Sequence, residues 1–116
     1  MTIRLKRAYE PAGPGDGRRF LVDRLWPRGV RKEALPLDAW LKDVAPSPAL
    51  RTWFAHDPAR WEEFRRRYLA ELRANDAALA PIRAAARRGA VTLVYSTRDP
   101  ERNSAAILRD HLARGQ

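Results

Sequence analysis

Cysteine is absent from this 116-residue chain. Its absence excludes disulfides, a thiolate nucleophile and Cys-ligated zinc or iron–sulfur centres. It also fits a reducing, cytoplasmic setting. Histidine is scarce: His56 and His111 lie far apart, without the spacing of metal ligands, so no metal site and no cofactor is expected. No phosphate loop, dinucleotide fingerprint or nucleophile elbow occurs. No apolar run approaches the roughly 20 residues of a membrane helix. The segment Met1 to Arg7 has no apolar h-region, so neither a signal peptide nor a membrane partner is expected. Lysine is nearly missing as well. Lys6, Lys32 and Lys42 are the only three, and arginine supplies the rest of the 23 basic residues.

The formal net charge is +9. A basic surface attracts nucleic acid, nucleotides and anionic lipid alike, although an Ala- and Arg-rich composition gives the same charge without any ligand. The length indicates one domain, residues 1–116, large enough to bury a core unaided.

Ile3 to Tyr9 alternates as a first strand near a sheet edge, and Pro11 to Gly17 is a turn-rich loop. Arg19 to Trp26 is predicted as the second strand and Leu37 to Val44 as a short helix. Asp57-Pro58 opens the clearest helix, to Arg73, with the stripe Trp61, Phe64, Tyr68 and Leu72. A further helix runs from Asn75 or Asp76 to Arg88, closed by Gly89. Ala90 to Ser96 is apolar on both faces, as in a central parallel strand, and a last helix spans Glu101 to Ala113. This order predicts a small layered α/β domain with a short, mostly parallel central sheet flanked by helices. The second strand and Ala90–Ser96 should be parallel neighbours, because a long helical crossover joins them. The short Pro/Gly loop after the first strand suits either a hairpin or an unhelical crossover, so that strand's direction stays open.

The most informative stretch is Phe20-Leu21-Val22-Asp23-Arg24-Leu25-Trp26-Pro27-Arg28-Gly29. An apolar strand runs into Pro and Gly, with one carboxylate and two guanidiniums at its exit. Ligands of α/β folds bind at such exits. The other exit carries Tyr95, Ser96, Arg98, Asp99 and Asn103, followed by a helix start that favours anions. Arg24, Arg28, Lys42 and Arg51 are expected to converge near Asp99 and hold an anion, which Arg24 and Arg28 can bind bidentately. Trp26, Ser47 and Asn103 are further ligand-binding candidates. Asp23 or Asp99 is the candidate acid/base and Tyr95 a hydrogen-bond donor. An Asp23 held between arginines would stay ionised, and Asp99 equally suits a helix cap.

Leu21 to Gly29, Trp40-Leu41-Lys42 with Ala45-Pro46-Ser47, Leu50-Arg51 with Phe54, and Thr92-Leu93 with Tyr95 and Asn103 resemble the short YeaO-like branch of domain-of-unknown-function family 488. The resemblance covers nearly the whole chain and implies no established activity. Longer branches end the last strand in Cys and follow it with Cys-His-Arg. Those places here resemble Tyr95 and Asn103-Ser104-Ala105, so thiol and histidine chemistry of that kind is not available.

Two readings follow. In the first, the domain binds a small anionic ligand, a nucleotide or other phosphate ester, at the carboxyl edge of the sheet and acts on it or merely holds it. In the second, it is a non-enzymatic module that binds nucleic acid or protein through its basic surface. A pocket bounded by Arg24, Arg51 and Asp99 would favour the first. The sequence leaves open whether the protein is an enzyme and how many copies assemble.

Overall fold

The computed structural model describes residues 2–114. Four strands form one all-parallel sheet in the order β1-β4-β2-β3: β1 is Ile3–Arg7, β2 Arg18–Leu21, β3 Ala39–Trp40 and β4 Val91–Tyr95. The four α-helices are α1 (Pro48–Phe54), α2 (Trp61–Ala74), α3 (Ala80–Arg88) and α4 (Ser104–Arg114). The predicted parallel neighbours are present: Arg18 to Leu21 of β2 pair with Val91 to Val94 of β4. β1 is also parallel to β4, from Ile3 opposite Val91 to Arg7 opposite Tyr95. The chain between β1 and β2 is therefore an unhelical crossover rather than a hairpin.

β4 sits between β1 and β2, and all five of its residues are buried. The two faces of the sheet are covered differently. Phe20, Val91, Leu93 and Tyr95 pack against Leu50, Phe64, Tyr68, Leu72, Ile82, Leu108 and Leu112 from all four helices. The other face presents Leu21 and Val94, covered by Ala8, Leu35, Trp26, Val30 and Leu37 from loops. The helices thus lie on one side of the sheet and irregular chain on the other. No helix among the described residues is long and apolar enough to cross a membrane.

Several predicted elements differ. β2 ends at Leu21, not Trp26; Val22 adds one more bond to Val94 (3.0 Å), and the chain then bends away. Leu37 to Val44 is not a helix. Asp38 accepts the Arg19 amide (2.7 Å), which starts the short pairing of β3 with β2, and only Lys42–Val44 turns, as a 3₁₀ segment. The periodicity of Leu37, Leu41 and Val44 reflects burial from two directions rather than one helical face. The last helix begins at Ser104, three residues later than predicted, and its inner face is Ala105, Ile107, Leu108 and Leu112 rather than Ala106. In α2, Phe64, Tyr68 and Leu72 are buried as predicted, while Trp61 is only partly buried.

The loop-covered face also holds a polar cluster. Asp16 is buried and accepts from Lys6 Nζ (2.9 Å), from the Gly13 amide (3.2 Å) and from the Arg19 guanidinium. Thr92 Oγ1 donates to the Asp16 carbonyl (2.8 Å). The lysine hydrogen bond, above all, lowers the Asp16 carboxyl to a pKa of about 2. The next residue, Gly17, has φ +64°, and a Cβ there would sit 2.0 Å from the Ala90 carbonyl oxygen. Only glycine fits that approach.

Candidate functional site

The carboxyl ends of β2 and β4 open on one cavity of about 960 Å³. Three parts of the chain wall it: the exit of β2 (Asp23, Arg24, Leu25, Trp26, Arg28), the exit of β4 up to α4 (Ser96 to Asp99, Arg102 to Ser104), and the corner between α1 and α2. That corner supplies Arg51, Phe54, His56 and Trp61.

Local bonds fix the two exits. Asp23 Oδ2 accepts from both the Ser96 amide (2.9 Å) and the Ser96 hydroxyl (2.8 Å), latching one exit to the other. Burial raises the pKa of Asp23, and the Ser96 bonds and the Arg51 charge only partly oppose it. The expected clamp of arginines around this carboxylate is absent: the latch is a serine, and desolvation dominates. Arg7 donates to the Ser96 and Thr97 carbonyls (3.0 Å each), pinning the β4 exit from behind. Arg24 reaches the Pro46 and Ala45 carbonyls (3.3 Å each), which braces the strand exit against the segment entering α1. The Trp40 indole donates to the Asp23 carbonyl and the Trp26 indole to the Val30 carbonyl (2.7 Å each), the two rings meeting edge-on at 5.4 Å.

At the other exit, Asp99 accepts from the Glu101 and Arg102 amides (2.9 and 3.0 Å), and these bonds hold its carboxyl below the usual range. It shapes a turn ahead of α4 rather than capping the helix. The cap is Asn103, whose Oδ1 accepts from the Ala106 amide (2.8 Å) while its Nδ2 donates to the Asp99 carbonyl (2.9 Å).

Of the residues singled out in the sequence, Asp23, Arg24, Trp26, Arg28, Arg51, Asp99 and Asn103 line this cavity. Lys42, Ser47 and Tyr95 do not. Lys42 lies over the Trp40 ring, 4.1 Å from its centroid. Ser47 caps α1 through Leu50 N (3.2 Å) and gives its hydroxyl to Glu71 (2.6 Å). Tyr95 is buried in the core on the helix side of the sheet. The sequence analysis missed Arg102, Phe54, His56 and Trp61 as cavity residues. A helix-to-helix corner without glycine, Phe54-Ala55-His56-Asp57-Pro58, was the available signal.

The charge balance is unusual. Arg24, Arg28, Arg51, Arg98 and Arg102 all line the cavity, against Asp23 and Asp99. Among the described residues, none of these five guanidiniums has a carboxylate oxygen within 4.0 Å, although seven arginine–carboxylate pairs form elsewhere.

A family model described as the inactive DUF488-N3 subclade matches residues 2–115. The chain belongs to the DUF488 family. This DUF488 domain is 42% identical over 112 residues to the uncharacterised protein YeaO of Escherichia coli K12, covering 97% of each chain. It is 48% identical over 106 residues to the uncharacterised protein Rv3073c of Mycobacterium tuberculosis, covering 91% of this chain and 89% of that one. An uncharacterised Mycobacterium bovis protein, Mb3100c, matches with the same identity and coverage. No solved structure matches the DUF488 domain.

Proposed function

We propose that this DUF488 domain binds a small phosphate-bearing anion at the carboxyl edge of its sheet and holds it without turning it over. The carrying observation is the set of five cavity arginines without carboxylate partners. Like charges gathered around one space repel each other, and an anionic ligand removes that cost. Arg28, Arg51 and Arg98 are exposed and free to rotate onto a phosphate, while Arg24 is already braced by two carbonyls. The Asn103-capped start of α4 adds its amide dipoles on the same side.

Binding without chemistry accords with the description of the matched subclade as inactive and with the residues themselves. Asp23 spends one oxygen on Ser96, Asp99 is tied into a turn and Tyr95 is buried. None of these three is therefore a free acid–base group beside a nucleophile. The alternative of a nucleic-acid surface has weaker support, since Arg66 and Arg67 on the outer face of α2 are paired with Glu63 (2.7 and 3.0 Å).

Thermal unfolding with inorganic phosphate and a panel of phosphate esters tests the reading. A ligand at 100 times its Kd stabilises by about 2.7 kcal/mol, a shift of several degrees in a domain this size. Arg51→Ala should melt as the parent does without ligand and lose most of the shift. If no phosphate compound shifts the parent, the reading fails.

A further inference from the structure

We propose that the anion is a nucleoside 5′-phosphate whose base lies against the aromatic corner between α1 and α2, with His56 and Trp61 as its seat. This rests on the anion-binding reading above and specifies its ligand. The cavity is larger than a phosphate needs: about 960 Å³ is the upper end of the roughly 300–1,000 Å³ of pockets that take whole organic ligands. Its walls are also of two kinds. The strand exits supply arginines and amides, whereas the corner supplies Phe54, His56 and Trp61, with Phe64 behind them. Phe54 is central there. Its ring centroid lies 6.0 Å from His56, 5.9 Å from Trp61 and 4.3 Å from Phe64. Phe64 is buried, but Phe54 and Trp61 remain partly uncovered and His56 is exposed. Half-covered rings on a cavity wall are a stacking surface for a flat base.

Two independent observations point the same way. First, the large apolar side chains left exposed among the described residues are Tyr9 (49%) and Leu25 (61%), and both line this cavity. A bare phosphate has no use for them; a nucleoside covers them. Second, Ala55 and His56 have φ +48° and +56°, the two non-glycine residues in the left-handed region among those described. Ala55 ends α1, its amide donating to Arg51 O (3.0 Å). A helix end needs one such residue, yet a second follows, and it is the residue that carries an imidazole onto the cavity wall. Side chains rarely tolerate that conformation, and where they keep it the surrounding function commonly explains why. Arg51 lies one turn before Phe54 on α1, so phosphate and base contacts come from one short helix.

Titration calorimetry with inorganic phosphate, ribose 5-phosphate and the four common nucleoside 5′-monophosphates decides the matter. At least one nucleotide should bind roughly tenfold tighter than ribose 5-phosphate, the gain of one stacked base. His56→Ala and Trp61→Leu should each cut that preference while leaving ribose 5-phosphate affinity within about twofold. Arg51→Ala should weaken all the phosphates together. If ribose 5-phosphate binds as tightly as every nucleotide, the base seat is wrong and the anion site stands. A base preference that survives both His56→Ala and Trp61→Leu places the base elsewhere and also overturns the proposal. If no probe binds the parent protein, both readings fall. Should Trp61→Leu fail to fold, the exposed His56 position decides alone.

Discussion

The molecule solves the same electrostatic problem twice, in opposite ways. On the loop-covered face, one carboxylate, Asp16, is buried between Lys6 and Arg19, and the cluster is closed. At the carboxyl edge, five arginines line an open cavity in which the partly buried carboxylate of Asp23 is bonded to a serine instead. The first cluster pairs its charges within the fold, although the buried Arg19 Nη2 is left without a hydrogen bond. The second leaves its cations without carboxylate partners; Arg28, Arg51, Arg98 and Arg102 are exposed to water, and Arg24 is held by two carbonyls. Pairing, rather than the number of charges, separates the two.

Breaking the closed cluster should have the largest effect. Asp16→Ala leaves Lys6 and a buried Arg19 without their counter-charge and should cost about 3–5 kcal/mol, read as a lower chemical-denaturation midpoint. An unchanged midpoint would show that the two regions do not differ as described.

Acid should act on the same cluster selectively. The Asp16 carboxyl is lowered from 3.8 to about 2 in the folded protein. Its contribution is therefore full above pH 4 and is lost as the pH falls from about 4 to 2. The loss is on the order of 2 kcal/mol, and Asp16→Asn should flatten that part of the stability profile. Asp23 works with the other sign. Its raised pKa means that ionisation opposes folding, a cost that is present at neutral pH and relieved on acidification.

At the open edge, Asp23→Asn keeps an oxygen for Ser96 while removing a negative charge from the cavity. Stability should change by less than about 1 kcal/mol, and phosphate affinity should rise by roughly fivefold, the effect of about 1 kcal/mol of repulsion in a wet site. Weaker phosphate binding would mean that the carboxylate helps to position the ligand.

The smallest effect is expected at the corner. Ala55→Gly relieves a left-handed alanine at the end of α1 and should raise stability by about 0.5–1 kcal/mol in a denaturant titration. A loss would show that the alanine methyl is held by packing that outweighs the strain.

The parts legible in the sequence were those fixed by one strong local pattern. β4 announced itself through an unbroken apolar run and α2 through its stripe, although Asp57 caps a 3₁₀ turn, Pro58–Arg60, and the α-helix itself begins at Trp61. The parallel pairing of β2 with β4 followed from the connection between them. Residues 22–44 were not legible, because their conformation comes from contacts at a distance: Asp38 on the Arg19 amide, and two indoles on carbonyls 17 and 4 residues away. The site behaved likewise. Residues flanking a strand end, such as Asp23, Arg24 and Asp99, line the cavity, while Lys42 lies over the Trp40 ring and Ser47 is taken up by the start of α1 and by Glu71, contacts that no local pattern announces. His56 reaches the cavity through two left-handed residues, which no residue type in Ala-His announces.

The position of β4 governs when this protein can acquire its shape. It is the strand that both β1 and β2 pair with, yet it spans residues 91 to 95 of 116. While the chain is being synthesised, its first 90 residues hold two strands that lack their common neighbour and helices that lack the sheet they cover. Sheet formation therefore waits for β4, and the pairings that complete it close loops of about 70 to 90 residues. A chain truncated before Val91 should expose its apolar stripes to proteases and to other nascent chains, even though it retains most of the cavity arginines.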